Sequence, residues 1–291
     1  MTEEDAFEAV DAPPRRVRVG EDSFACTDVG AGEPVLFLHG ALGDRRTWRR
    51  HCAALAGRFR CLAYTQRHFG TEPWRPGGPP FGTRAHADDL VAFCEAIGAG
   101  PVSVVAWSYA GHAALLAALA RPELFSRVLV YEPGVPSWVG DPAELAAYGR
   151  DAEAMFGPVF EAAGRGDLDE AVRRLIDASG GPGRFERRPA DRRAVEVDNA
   201  HTMPLLLAQE PPPPIGCDDL RALRVSVTVA WGERTRPVFG IPSRAAARCL
   251  GPGRGVEVPG AGHLWPDEDP AGFAALVGDW MDRAPGPAGP G

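Results

Sequence analysis

Short apolar runs alternate with helix-length stretches along most of this chain, and that alternation restricts the fold more than any other feature of the sequence. Strands are predicted at 35–38, 60–64, 102–106, 128–131, 225–230 and 255–258, and helices at 48–56, 83–97, 109–120 and 270–283. The Arg121-Pro122 pair stops the third helix, because proline disfavours helical backbone in the residue before it. Strands that are joined through helices lie parallel, in a sheet covered on both faces. Segments 17–19 and 24–27 add antiparallel edge strands. One interval breaks the rhythm: 136–217 holds helical patterns at 142–155, 168–178 and 187–200, no strand, and a closing run of prolines at 211–214. An insertion of that size between two strands is expected to form a helical lid over the strand ends. Residues 1–14, which end in Ala12-Pro13-Pro14, and residues 283–291, rich in Pro, Gly and Ala, are expected to be flexible tails. The core is therefore assigned to 15–135 and 218–282.

Composition removes several functions. The net charge of −8 argues against nucleic acid or an anionic membrane as a partner, and no apolar run approaches the ~20 residues that a bilayer requires. The acidic first ten residues lack the pattern of a signal peptide, so a cytoplasmic location is expected. Six cysteines are scattered without a C-x-x-C pair, which reads as buried, reduced thiols rather than zinc ligands or disulfides. All 31 basic residues are arginine, which excludes Schiff-base chemistry and a P-loop lysine. With no GxGxxG fingerprint either, no cofactor is expected, and the partner is a small-molecule substrate. Nothing in the sequence indicates an oligomeric state.

The chemistry centres on Ser108. It follows the apolar run Val104-Val105-Ala106-Trp107 and precedes the helical stretch that starts at Tyr109. A serine at a strand-to-helix turn, flanked two residues either side by the small Ala106 and Ala110, has the layout of a nucleophile elbow. The usual G-x-S-x-G has glycine at both flanks; alanine keeps the space but loses freedom at positive φ. Upstream, Leu38-His39-Gly40-Ala41-Leu42-Gly43 ends the first parallel strand. The amides of Ala41 and Tyr109 are candidate donors to a developing oxyanion. Downstream, Pro259-Gly260-Ala261-Gly262-His263 places a histidine in a small-residue loop after a strand, where a general base can reach the serine.

Over about residues 15–282 the chain resembles an α/β-hydrolase. The motifs that carry the resemblance are His39-Gly40, Arg67-His68-Phe69-Gly70-Thr71, the elbow at Ser108, Trp231-Gly232-Glu233 and Gly262-His263. The resemblance implies a mostly parallel eight-stranded sheet flanked by helices, with a helical lid inserted after the sixth strand. It also implies a catalytic acid, and here the chain departs from the family. The usual aspartate of a G-x-x-D pattern is replaced by Thr235 in Gly232-Glu233-Arg234-Thr235. Haloalkane dehalogenase-like relatives take the acid from the end of the preceding strand, where this chain has Glu132; Glu233 is the alternative acid. Those relatives also carry aromatics that match Trp107 and Trp48, but their nucleophile is an aspartate, so Ser108 argues against halide and epoxide chemistry.

The expected protein is a cofactor-independent serine hydrolase with Ser108 as nucleophile, His263 as base and Glu132 as acid. It would act on an ester, lactone, thioester or activated carbon–carbon bond of a small, largely apolar molecule. His39, Trp107, Phe69 and Trp138 are the expected pocket residues, and no metal site is expected. Two other readings stay open: non-hydrolytic oxygenase, lyase or cyclase chemistry through a His–acid dyad, and a catalytically silent ligand binder. Arg184, Arg187 and Arg188 could meet an anionic substrate, although a charge run in a lid reads first as solvated surface.

Overall fold

The computed structural model describes residues 3–284. Eight strands form one sheet: β1 (Arg15–Val19), β2 (Asp22–Val29), β3 (Pro34–Leu38), β4 (Arg60–Tyr64), β5 (Val102–Trp107), β6 (Phe125–Tyr131), β7 (Ser226–Gly232) and β8 (Gly255–Val258). Their order is β1-β2-β4-β3-β5-β6-β7-β8. The β1–β2 and β2–β4 pairs are antiparallel, and every later pair is parallel. Residues of β5 are buried at all six positions, as expected of a parallel strand covered on both faces. One core layer packs Leu36, Leu62, Val104 and Val130 under the helices Thr83–Ile97 and Tyr109–Ala120. The other packs Phe37, Ala63, Val105 and Leu129 with Trp48 and Phe273.

The order reverses direction between β3 and β5: the chain steps outward to β4, then returns past β3 to build β5 through β8. Open parallel sheets bind ligands at such a switch point, beyond the carboxyl ends of the strands. Register then aligns the loops that follow. Leu38 pairs with Ala106, Trp107 with Tyr131, and Tyr131 with Ala230. The loop after β3, Ser108 after β5, and Glu132 after β6 therefore emerge side by side.

Between β6 and β7 the chain forms helices Pro142–Gly164, Leu168–Gly180, Arg184–Arg187, Ala190–Asp198 and Met203–Ala208. The first runs nine residues past its expected end at 155, through Pro158. Two expectations are corrected and one falls largely outside the described residues. Most of the presumed N-terminal tail is the helix Glu3–Asp11, whose Ala6 and Val10, one turn apart, are buried in the core layer beside the helix Arg49–Leu55. Of the presumed C-terminal tail, residues 285–291 lie outside the described residues. The cysteines are not all reduced: Cys217 and Cys249 form a disulfide with their Cα atoms 5.2 Å apart, while Cys26, Cys52, Cys61 and Cys94 are free and buried. The two partners are 32 residues apart, and packing of the helix Pro237–Leu250 against Cys217–Arg221 brings them together. Linear spacing carried no sign of that. Among the described residues, no helix is long and apolar enough to cross a membrane.

Candidate active site

The end of β5 turns into the helix Tyr109–Ala120 within a single residue. That residue is Ser108, at φ 56° and ψ −119°, a conformation costly for a residue with a Cβ. Two neighbours hold it there. Its N–H donates to the carbonyl of Tyr131 at 2.9 Å, and its own carbonyl accepts from Gly111 at 2.9 Å. Both flanking alanines, Ala106 and Ala110, are fully buried. Gly40 passes close by: a Cβ there would lie 3.3 Å from the Cβ of Ser108. This glycine lets the loop after β3 pass directly beside the hydroxyl. Ala41 and Tyr109 both line the cavity into which Ser108 opens. Tyr109 is the first residue of its helix, where N–H groups have no partner within the helix.

His263 sits 3.1 Å from the Ser108 Oγ through Nε2, and its Nδ1 lies 2.6 Å from Oε2 of Glu132. A carboxylate only accepts, so Nδ1 carries the proton and Nε2 presents a lone pair to the serine. The loop bearing His263 is held from three sides. Trp107 Nε1 donates to the His263 carbonyl at 3.1 Å, and the Tyr131 hydroxyl donates to the Gly262 carbonyl at 2.7 Å. The Phe239 ring lies flat on the imidazole, with centroids 3.5 Å apart.

Glu132 is completely buried and also has positive φ, 51°. Its charge is met by three donors: His263, the Gly232 N–H on Oε1 at 2.7 Å, and the Thr235 hydroxyl on Oε2 at 2.8 Å. Thr235, which replaces the usual family aspartate, thus donates to the carboxylate that took over the place beside the histidine. Glu233 points elsewhere. It is exposed and accepts from the Gly260 N–H at 2.7 Å.

A model of the Alpha/beta hydrolase family matches residues 35–276. The chain belongs to the alpha/beta hydrolase family. Ethanol acetyltransferase 1 of Kluyveromyces marxianus is 34% identical to it over 103 residues, covering 34% of this chain and 27% of that protein. The chain thus spans about a quarter of that relative's length. An esterase from Thermogutta terrifontis shares the fold with a TM-score of 0.71 at 22% identity, over 94% of this chain and 100% of the other. The enol-lactonase of Burkholderia xenovorans LB400 does so with a TM-score of 0.72 at 15% identity, over 92% of this chain and 100% of its own.

In this alpha/beta hydrolase chain the Ser108 hydroxyl opens into a cavity of about 310 Å³. Its wall combines the core residues Trp107, Phe239 and Leu264 with Met155, Val159, Phe160, Ile176 and Met203 from the helices between β6 and β7. Of the four expected pocket residues, Trp107 lines this space and the other three do not. His39 is fully buried behind it: Nδ1 donates to the Gly40 carbonyl at 2.9 Å, Nε2 accepts from the Gln66 N–H at 3.1 Å, and burial holds the imidazole down to about 4. Phe69 packs edge-on against His39, 4.9 Å between centroids. Trp138 is buried away from the cavity, donating to the Pro242 carbonyl at 2.8 Å and stacking on His112. Apolarity and position near a motif do not distinguish a pocket wall from the core behind it.

Arg67, in the loop that matches a family motif, is structural. Its guanidinium is buried and forks onto Asp89 at 2.7 Å and Asp22 at 2.8 Å. Phe239 escaped notice because the helix Pro237–Leu250 did, with prolines at 237 and 242 obscuring its periodicity. Among the described residues, no three of His, Cys, Asp and Glu are grouped as ligands for a metal ion.

Proposed function

We propose that this protein is a cofactor-independent serine hydrolase that cleaves a carboxylic ester, or a related lactone or thioester, of a small and largely apolar molecule. The observation that carries the reading is the unbroken chain Ser108 Oγ, His263 Nε2, His263 Nδ1, Glu132 Oε2, with links of 3.1 and 2.6 Å. The Ser108 oxygen attacks the acyl carbon as Nε2 takes its proton. Glu132, held by two further donors, stabilises the imidazolium without receiving the proton itself. Negative charge grows on the carbonyl oxygen beside Ala41 and Tyr109, whose N–H groups are the donors in this mechanism. His263 then protonates the leaving alcohol or thiol, and the same histidine activates a water that releases the acid and frees the serine. The helices of 136–217 act as a cap, and their side chains exclude water and select the substrate.

The test is the intact mass of the protein after treatment with a fluorophosphonate, followed by peptide mapping. A single adduct on Ser108 that is lost in His263→Ala is expected. Ser108→Ala and His263→Ala should each lower kcat/KM for an activated ester by about 10³-fold or more with unchanged melting behaviour. An unlabelled Ser108 in folded protein, or comparable turnover in either variant, would overturn the reading.

A further inference from the structure

We propose that the cavity receives an ester whose end remote from the scissile bond carries an uncharged hydrogen-bond donor, a hydroxyl or an amide N–H, and that Gln209 and Tyr109 accept it. The serine-hydrolase reading is presupposed only for the bond that is cut.

Away from Ser108 and His263, polar side chains meet the cavity in two main groups. Arg192 ties the charged one together, with Nη1 3.4 Å from the Thr47 hydroxyl and Nη2 2.9 Å from Asp267 Oδ2. Thr83, Tyr109 and Gln209 make the other, which contains neither a carboxylate nor a guanidinium. Tyr109 is the residue after Ser108, so a small guest can touch both this group and the nucleophile. Gln209 directly follows the helix Met203–Ala208, so the core and the inserted helices each supply one acceptor.

Counting protons decides what the second group binds. His86 is 1% exposed, and among the described residues the histidine paired with a carboxylate is His263. Burial without an anion keeps an imidazole neutral, and it holds His86 down to about 3. Its Nε2 lies 3.0 Å from the Arg67 carbonyl and its Nδ1 2.9 Å from the Tyr109 hydroxyl. A carbonyl only accepts, so the one ring proton sits on Nε2 and Nδ1 is an acceptor. The Tyr109 O–H is thereby committed to His86. The phenol oxygen also lies 3.4 Å from Gln209 Oε1, but it has no second proton to give. Turning the amide does not supply one. Gln209 Nε2 donates to the Leu206 carbonyl at 3.0 Å, and a flip would set two carbonyl oxygens against each other. The Thr83 hydroxyl is one further donor, and it acts on the phenol. Gln209 Oε1 therefore faces the phenol oxygen with no proton between them. Two acceptors at that spacing are relieved by a donor placed beside both, so the group selects a guest that donates. With no carboxylate in the group, an ammonium gains no partner there, and an uncharged donor fits. The apolar remainder of the wall asks for a hydrocarbon spacer between that donor and the bond near Ser108.

The test uses two series of esters, so that the donor can lie on either side of the bond. One is the monoacetates of butanediol, hexanediol and octanediol; the other is the ethyl esters of ω-hydroxyhexanoic and ω-hydroxyoctanoic acids. Each is compared with analogues whose terminal hydroxyl is replaced by methoxy, which accepts but cannot donate, or by methyl, which does neither. Acid release is followed at constant pH. At the best length kcat/KM should favour the hydroxyl over both analogues by about tenfold, carried mainly by KM. Gln209→Leu should erase that preference, and Gln209→Glu, which still accepts, should keep it. Tyr109→Phe should reduce it. Methoxy esters turned over as well as the hydroxyl esters at every length, with Ser108 still labelled by the fluorophosphonate, overturn the subsite and leave the hydrolase reading intact. Calorimetry on Ser108→Ala with hexanediol monoacetate and its methyl ether separates the two in the other direction. Tighter binding of the alcohol supports the subsite even if no ester is turned over; equal or undetectable binding overturns it.

Discussion

Thr235 shows how much one hydroxyl decides at the residue scale. Glu132 is buried and needs donors, and Thr235 supplies one of three at 2.8 Å. Removing it leaves the carboxylate short of a partner and freer to turn away from His263. Thr235→Val should therefore lower kcat by about tenfold, equivalent to ~1–1.5 kcal/mol, with KM little changed, whereas Thr235→Ser should retain most activity. Steady-state kinetics on one activated ester checks both. On the same assay Glu132→Gln should cost about 10³–10⁴-fold, because the amide can present its NH₂ to Nδ1 and reverse the tautomer. Glu233→Gln should change nothing, since its contact is a surface bond to the Gly260 N–H. Ser108, Glu132 and His263 could be picked out from sequence because each terminates a strand or occupies a small-residue loop, and such places are marked by neighbouring side chains. Thr235 was visible only as a missing aspartate: whether a hydroxyl reaches a carboxylate is a matter of a few tenths of an ångström across 103 residues of chain.

Elements obeyed the same division. Strands whose apolar runs are flanked by clear turns appear where the periodicity put them, and β4 and β8 match the expected bounds residue for residue. The helices that escaped were the ones whose signal is weak in isolation. Glu3–Asp11 is mostly acidic and shows only a narrow apolar stripe, and its burial depends on the helix it meets. The Cys217–Cys249 bond belongs to this scale, because it ties the short helix where the insertion ends to the helix that carries Phe239. Closing a loop of 32 residues removes entropy from the unfolded chain and stabilises the fold by about 3–4 kcal/mol. The pair Cys217→Ser with Cys249→Ser should lower the melting temperature by several degrees. Adding a reductant to the original protein should reproduce that shift and have no effect on the double variant.

For the molecule as a whole, acid should be the weak point. Burial holds His39 and His51 at about 4 and His86 at about 3, against 6.5 for a free imidazole. Between those limits the unfolded chain binds three protons that the native state refuses, so this contribution to stability is complete above pH 6.5 and is lost as pH falls toward 4. Glu196, with its carboxyl raised to about 7, works in the opposite sense by one proton. The net of two protons corresponds to about 2–3 kcal/mol per pH unit near pH 5.5. Thermal denaturation followed between pH 7.5 and 5 should show a steep fall in melting temperature, reduced in His51→Gln if that variant folds. One further consequence follows from the ladder at the strand ends, where Ser108 hydrogen-bonds back to Tyr131 and Glu132 to Ala230. The proposed nucleophile and acid stand on adjacent rungs of the sheet, and no inserted helix bears either of them. If the helices swing to admit a guest, the reacting atoms keep their spacing, and an electrophile small enough to slip past should meet a fully assembled serine at any moment of that swing.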